Sequence, residues 1–142
     1  MATMTDKQEK RVKRAHIALM KHPQTALYSG VMLMGVSEVV DDVFTAYTDG
    51  VNKRYSRWFL EEHIKEDSQL RGLILHENLH IAMKQVVHGK TMFKEDKDLA
   101  NMAADFVVND VIHNIDGTLP GGRERIVDLP DGGLYDEMFH NW

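Results

Sequence analysis

The segment from Gln69 to His88 constrains the fold most, because its apolar residues occur on every side of a helical projection. It stops at Gly89, a normal signal for the C-terminal end of a helix. Its apolar residues are Leu70, Leu73, Ile74, Leu75, Leu79, Ile81, Ala82, Met83, Val86 and Val87. A helix that is apolar all the way round lies in the centre of a domain. The sequence therefore predicts a buried helix over 69–88, with the rest of the chain packed around it.

Three polar residues within this helix form the pattern His-Glu-x-x-His. His76 and His80 lie four residues apart, so both imidazoles can reach one ion from one face of the helix. Glu77 lies about 100° round the helix, where its carboxylate can contact a water on that ion without binding the ion. Burial of these groups without partners costs several kcal/mol, and a metal ion would partner all three. The alternative is a pair of ordinary hydrogen-bonded histidines, in the core or on an exposed turn.

The amino-acid composition limits which groups can complete a metal site. The chain has eight histidines and no cysteine, so disulfides, thiolate zinc sites and cysteine nucleophiles are excluded. Two histidines leave a tetrahedral ion one protein ligand short. Met83 and Val86 occupy the positions where the metzincin pattern requires glycine and a third histidine, which excludes that class.

A polar stripe on the next predicted helix, over 96–113, offers the missing ligand. Asn101, Asp105 and Asn109 recur at intervals of four, on a face that also carries Val108 and Ile112. Asp105 is the central carboxylate, and we predict it as the third ligand, with Asn101 and Asn109 orienting it or a ligating histidine. The alternative is that Asp105 forms a local cap or salt bridge. Secondary candidates are Glu95, Asp98 and Asp110, of which Asp110 lies on the opposite side of this helix from Asn101.

The first part of the chain predicts a helix followed by a small sheet. Apolar residues at helical spacing predict an N-terminal helix over 5–22, which Pro23 ends. The apolar, β-branched run over 28–40 favours a strand. The dipeptide Asp49-Gly50 predicts a two-residue hairpin turn. The pairs predicted on one face are Thr48 with Val51, Ala46 with Lys53, and Phe44 with Tyr55, leaving Tyr47 with Asn52 and Thr45 with Arg54 on the other.

These segments predict an α+β fold in one domain over 1–142. A three-stranded sheet within 28–55 precedes a short helix over 56–67 and the central helix. The last 29 residues, 114–142, contain five of the ten glycines and two of the three prolines. This tail is predicted to be mostly loop, with one turn of helix at Tyr135 to Phe139.

Charge is divided unequally along the chain. The net charge is -5, yet the first helix carries five basic residues near only Asp6 and Glu9. The basic residues are Lys7, Lys10, Arg11, Lys13 and Arg14. The remaining 12 basic and 20 acidic residues give 15–142 a charge of -8, which argues against a nucleic-acid binder. The basic helix face is either simply solvated or a docking site for nucleic acid or an acidic partner.

The sequence contains no recognisable targeting or membrane segment. Met1 to Glu9 is polar, and no run approaches the roughly 18 apolar residues of a membrane span. We therefore expect a cytoplasmic protein without a membrane partner.

Several of these motifs together resemble a known family. They are Thr48-Asp49-Gly50, then Tyr55 and Phe59, then Leu75-His76-Glu77-Asn78-Leu79-His80, and then Asn101-Met102-Ala103-Ala104-Asp105-Phe106-Val107-Val108-Asn109. In order and spacing this chain resembles, over about residues 10–140, the metallopeptidase domain found ahead of von Willebrand factor A-like domains in bacterial and phage proteins. The Ala-Ala-Asp-x-x-Val-Asn element is the more specific part of the resemblance.

The resemblance implies a minimal zincin-like fold, in which a small sheet packs on the helix that carries the metal ligands. It implies one zinc ion per chain, bound by His76, His80 and Asp105, with Glu77 as the catalytic acid and base. The chain departs from the family at Gln85, where another histidine is expected, while His88 lies nearly a turn later. It also stops at Trp142 without a von Willebrand factor A-like domain, which leaves a role for a protein partner in trans.

The residue pattern favours a zinc-dependent metallopeptidase acting on a peptide or protein substrate, in the host cytoplasm if the gene belongs to a phage. The residue types available to stabilise an oxyanion are Tyr55 and His113, with Tyr47 and Tyr135 as further donors. The first alternative is a zinc-binding regulatory or interaction module on the same scaffold that does not turn over substrate. The second is an adaptor that docks through its basic first helix.

Overall fold

The computed structural model describes residues 4–43, 46–48, 51–87, 97–115, 117–119 and 124–129. Within these ranges the protein is α+β, as predicted. The helices are α1 (Met4–Lys21), α2 (Ser29–Met32), α3 (Arg57–Glu62), α4 (Asp67–Val87) and α5 (Lys97–His113), with a 3-10 turn at Ala26–Tyr28. The strands are β1 (Ser37–Val40), β2 (Ala46–Thr48) and β3 (Lys53–Ser56). No described helix has both the length and the apolar character that a membrane span requires.

Helix α4 lies at the centre of the fold, which confirms the prediction for the apolar segment. All ten residues from 71 to 80 are buried, and α4 packs against α1, α2, α5 and β2. Its buried apolar side chains include Leu73, Ile74 and Leu75, each with no exposed surface. Burial of each such side chain stabilises the fold by about 1.5–3 kcal/mol. The helix that carries the His-Glu-x-x-His pattern is therefore the central core element, which α1, α2, α5 and β2 help to bury.

Helix α1 is amphipathic and holds α3 in place. Val12, Ala15 and Leu19 are buried on its inner face. Arg11 donates from Nη1 to the carbonyl of Leu60 (3.1 Å) and from Nη2 to that of Ile64 (3.1 Å). These carbonyls belong to the C-terminal end of α3 and the residues after it, so the guanidinium satisfies acceptors that the helix cannot. Arg11 is therefore a structural contact between helices, whereas the other basic residues of α1 are exposed.

The sheet has the strand order β1–β3–β2, with β1 parallel and β2 antiparallel to β3. The predicted hairpin register is wrong by two residues: Thr48 pairs with Lys53 and Ala46 with Tyr55. Asn52 explains the shift, because its side chain accepts from Val36 N (2.9 Å) and its carbonyl accepts from the Thr48 hydroxyl (2.7 Å). A shift of two residues keeps each side chain on its predicted face. The dipeptide Asp49-Gly50 and Phe44 lie outside the described residues.

The prediction of a strand over 28–40 is wrong for most of that range. Only 37–40 is a strand, and the preceding residues form the 3-10 turn and α2. The cause is tertiary: the buried Lys53 donates from Nζ to the carbonyls of Val31 (2.9 Å), Met32 (3.4 Å) and Met34 (2.5 Å). These acceptors lie at the end of α2, which the ammonium group stabilises. Gly35, at φ +63°, then turns the chain into β1.

The described part of the tail docks on the N-terminal half of α4. Arg71 donates from Nε to the carbonyl of Ile126 (2.5 Å) and from Nη2 to that of Arg125 (3.0 Å). Gly72 permits this close crossing, because a Cβ at that position would lie 1.8 Å from the carbonyl oxygen of Asp128. Residues 117–119 and 124–126 form a short hairpin, with a bridge between Thr118 and Arg125. The helical turn predicted at 135–139 lies outside the described residues.

Candidate metal centre

The three predicted ligands converge on one point between α4 and α5. His76 and His80 lie one turn apart on α4, and Asp105 projects from the facing side of α5. Their side chains are almost completely buried, at 0%, 1% and 0% exposure. The four-residue spacing places the two imidazoles on the same side of α4. The packing of α4 on α5 then brings a carboxylate from a second helix to the same point.

Three atoms form a small triangle at this point. His80 Nε2 lies 3.0 Å from His76 Nε2 and 2.7 Å from Asp105 Oδ1. The third side, from His76 Nε2 to Asp105 Oδ1, measures 3.3 Å. In a tetrahedral shell with bonds of about 2.0 to 2.1 Å, neighbouring ligand atoms lie about 3.3 Å apart. The triangle is therefore close to one face of such a shell, and the three residues form a group that could hold a metal ion.

The hydrogen bond that His76 makes outside the triangle leaves one of its lone pairs facing the cluster. Asn109, one turn after Asp105 on α5, accepts from His76 Nδ1 at 3.1 Å. With the proton on Nδ1, His76 presents the lone pair of Nε2 to the cluster, as a metal-binding histidine does. The second carboxylate oxygen of Asp105 is buried and has no hydrogen-bond partner among the described residues. Donor chemistry, spacing and this oxygen together fit a cation bound by two histidines and a carboxylate.

The electrostatics of the cluster keep it in the state that binds a cation. Burial lowers the pKa of His76 to about 4, and the neighbouring carboxylate of Asp105 raises it only in part. Burial alone would raise the pKa of Asp105, but the neighbouring imidazoles of His76 and His80 outweigh burial, so the net pKa lies below its usual value. At neutral pH His76 is therefore neutral and Asp105 is ionised, which are the forms that bind metal.

Glu77, which follows His76 on α4, lies close enough to Tyr55 to influence its hydroxyl electrostatically. Glu77 has no exposed surface, and Tyr55, on β3, is also fully buried. Burial raises the pKa of the Tyr55 hydroxyl well above its usual value, and the negative charge of Glu77 raises it further. The hydroxyl therefore stays protonated as a hydrogen-bond donor, and it has no partner among the described residues. A carboxylate and a neutral phenol thus occur together within the core.

The remaining sequence-predicted residues lie elsewhere or outside the description. His113 is exposed on the last turn of α5, and Asp110 is exposed on the same helix. Asn101 and Asp98 lie on α5, but their side chains are outside the described part of the chain, as is that of Tyr47 on β2. The residues wholly outside the described ranges are His88, Glu95 and Tyr135. The structure thus brings together His76, His80, Asp105 and Asn109.

Sequence reasoning missed the residues that secure the helix carrying the site. Arg71 is buried at 5% exposure, one turn before Leu75, and its guanidinium binds the tail. A lone arginine followed by glycine in an otherwise apolar helix was the available signal, because a buried cation needs acceptors. No pattern in the sequence shows that those acceptors are the carbonyls of residues 125 and 126.

The comparisons with known proteins identify a family for the chain. No curated protein and no solved structure matches the chain. A family model matches residues 7–142, a range that includes α4, α5 and all three candidate ligands. The chain therefore belongs to the family described as "Putative metallopeptidase domain".

Proposed function

We propose that the protein is a zinc-dependent metallopeptidase that hydrolyses peptide bonds, with His76, His80 and Asp105 as the zinc ligands. The observation that carries this proposal is the buried triangle of His76 Nε2, His80 Nε2 and Asp105 Oδ1. Two histidines and one carboxylate are a ligand set typical of catalytic zinc, because a fourth position remains for water. Membership of a metallopeptidase-domain family supports the same activity.

Each neighbouring side chain has a chemical role in this proposal. Zinc, when bound, would polarise a carbonyl group and lower the pKa of bound water to about 7. Glu77 accepts a proton from the attacking water and transfers it to the leaving amine. Tyr55, held protonated by burial and by the charge of Glu77, donates a hydrogen bond to the developing oxyanion. His113 is a less suitable donor, because its side chain is exposed at the end of α5.

The proposal includes a zincin-like arrangement of sheet and helix. Strand β2 is an edge strand and packs against α4. A peptide substrate can add to this edge as an extra strand, with main-chain hydrogen bonds that align it beside α4. The other hairpin strand, β3, is central and has neighbours on both sides. Substrate alignment is therefore assigned to β2.

A second candidate function is a zinc-binding regulatory or interaction module without turnover. The observation that favours it is the burial of Glu77 and of all three candidate ligands, each at most 1% exposed. A peptide bond must reach the water at the metal, so hydrolysis requires the protein to open around the cluster. A module that only binds metal requires no such opening.

Metal analysis tests the ligand set. The chain, purified without chelator, is expected to contain one zinc ion, and both His80→Ala and Asp105→Ala are expected to lose it. Asp110→Ala is the matched control, because Asp110 is exposed on the same helix as Asp105. Undiminished zinc in Asp105→Ala would assign the third ligand to another residue.

A digest of a broad peptide library tests turnover. We expect reproducible cleavage by the zinc-loaded chain, abolished by a chelator and by Glu77→Gln, which retains zinc. Glu66→Gln removes the same charge from an exposed position before α4 and should cleave like the unmodified chain. No cleavage by any zinc-loaded chain would favour the module, and full cleavage by Glu77→Gln would refute its role as the base.

A further inference from the structure

A groove of about 600 Å³ lies between α1, α2 and β1, and none of the candidate metal ligands lines it. Its floor is apolar and consists of Val12 and Met20 from α1, Met32 from α2 and Val39 from β1. The volume is within the range of ligand-binding clefts, about 300–1,000 Å³. The groove is therefore large enough to hold one or two side chains of a partner.

One wall of the groove is the open edge of strand β1. Among the described residues β1 pairs only with β3, and Lys53 N donates to the carbonyl of Val36. In a parallel ladder with Ser37 opposite Lys53 and Val39 opposite Tyr55, the N–H and C=O groups of Ser37 and Val39 point away from β3. Both residues line the groove. The groove thus offers a row of main-chain donors and acceptors to a further strand.

The rim of the groove on the α1 side is basic. Lys10 and Lys13 line it and are exposed, and Glu9 is the one acidic residue of α1 beside them in the lining. Residues 7–14 contain five basic residues and one acidic residue, whereas the chain from 15 onwards has a charge of -8. Glu38 also lines the groove, but its Oε1 lies 4.0 Å from Arg54 Nε. An acidic group therefore finds a favourable potential at α1 and an unfavourable one over the rest of the chain.

Two further features indicate that the surface suits another polypeptide. His16 donates from Nδ1 to the carbonyl of Val12 (2.9 Å), so its Nε2 is a buried acceptor in the groove wall, without a partner among the described residues. The apolar surface continues from Leu33, which lines the groove and is 70% exposed, to Val36 outside it, which is 54% exposed. A small molecule held in the groove would leave the side chain of Val36 uncovered.

We propose that this groove docks an extended segment of a partner protein, which adds to β1 as a parallel or antiparallel strand. The segment places an apolar side chain on the floor between Met20 and Met32, and a carboxylate two residues away binds Lys10 and Lys13. Side chains two apart lie on the same face of a strand, so both point towards α1. This inference goes beyond the proposed function and needs neither zinc nor hydrolysis.

The probe is the fluorescein-labelled peptide acetyl-Glu-Ser-Leu-Ser-Glu, whose leucine and glutamates share one face. A glutamate on each side of the leucine lets one of them meet the lysines in either strand direction. Binding is measured by fluorescence anisotropy with the full chain and with Glu77→Gln, and we expect equal affinities for the two proteins. Equal affinities would show that docking in the groove does not depend on catalysis by Glu77. Either hypothesis can then be refuted without refuting the other.

Two double variants with the same change in net charge test the basic rim. Lys10→Glu with Lys13→Glu is expected to weaken binding at least about tenfold. Lys7→Glu with Lys21→Glu, at exposed positions of α1 that do not line the groove, is expected to leave the dissociation constant within about twofold. Circular dichroism shows whether both variants keep the fold. Equal weakening by the two doubles would overturn the proposed contact.

Changes in the probe test strand addition without altering the protein. Replacing its leucine by alanine should weaken binding about tenfold. Two methylated probes are compared, one methylated at the leucine amide and one at both serine amides. Because alternate amides of a strand face β1, one of the two probes should lose binding and the other should keep it. Equal effects of both methylations would refute strand addition. Failure of the probe to bind, with self-association that Lys10→Glu and Lys13→Glu abolish, would assign the groove to a second copy and overturn the proposal.

Discussion

Polar groups are buried in two different ways in this fold. The ammonium group of Lys53 has three N–H donors and meets three backbone carbonyls, and Arg71 likewise donates to two. In the His76, His80 and Asp105 cluster, three atoms that can each present a lone pair lie within 3.3 Å of one another. Donors and acceptors match at Lys53 and Arg71, whereas the second carboxylate oxygen of Asp105 is buried without a hydrogen-bond partner among the described residues. A matched buried charge stabilises a chain contact, whereas a buried acceptor without a donor favours the binding of a ligand.

The largest expected effect is a loss of stability when Arg71 is replaced, without a change at the His76, His80 and Asp105 cluster. Arg71→Met removes the donor to the carbonyls of residues 125 and 126, and we expect the free energy of unfolding to fall by about 4 kcal/mol. Zinc content per folded chain should not change. Denaturant titration measures the free energy of unfolding, and metal analysis measures the zinc content. Arg14→Met, at an exposed position, is the control, and its free energy of unfolding should stay within about 0.5 kcal/mol of that of the unmodified chain. Loss of zinc together with stability would show that the two regions act as one.

We expect zinc binding to the His76, His80 and Asp105 cluster to stabilise the fold. At a zinc concentration a thousandfold above its dissociation constant, zinc should raise the free energy of unfolding of the unmodified chain by about 4 kcal/mol. A hundredfold weaker affinity in Asp105→Ala reduces this gain to about 1.4 kcal/mol at the same concentration. Thermal unfolding with and without zinc measures both values. Equal gains in the two chains would mean that the cluster does not bind zinc.

The burial of the Lys53 ammonium group should be visible as a pH dependence of stability. Burial lowers the pKa of Lys53 from 10.5 to about 8, so between these values the unfolded chain binds more protons than the folded chain. Stability contributed by Lys53 therefore rises as the pH rises through this range. Relative to Lys53→Met, we expect a gain of about 2.5 kcal/mol between pH 7 and pH 10. A constant difference between the two chains would mean that the folded pKa is unshifted.

The smallest expected effect concerns Asn109, which orients the imidazole of His76. Asn109→Ala removes the acceptor of His76 Nδ1, and we expect zinc affinity to fall about tenfold. Competition with a chelator of known affinity measures the change. Asp110→Ala, at the exposed neighbouring position, should leave the affinity within about twofold. An unchanged affinity in Asn109→Ala would show that the fold alone orients His76.

Much of the site could be predicted because it depends on local spacing. The helical period alone places His76 and His80 on one face, and the polar stripe on α5 predicts the position of Asp105. The register of the hairpin could not be predicted, since it depends on the Asn52 side chain binding a main-chain group of residue 36. The short helix before β1 depends in the same way on Lys53, which lies 19 to 22 residues away. Side chains that bind distant backbone atoms leave no periodic signal in a sequence.

The contact of the tail with α4 has a consequence for the order of synthesis. The partners of Arg71 follow it by 54 and 55 residues. On the ribosome, α4 is therefore complete long before residues 124–129 emerge to cross it at Gly72. During that interval the helix with both histidines lacks its buried tail, and the arginine is still hydrated. The nascent chain thus passes through a period in which the segment with both histidines has been synthesised but is not yet enclosed.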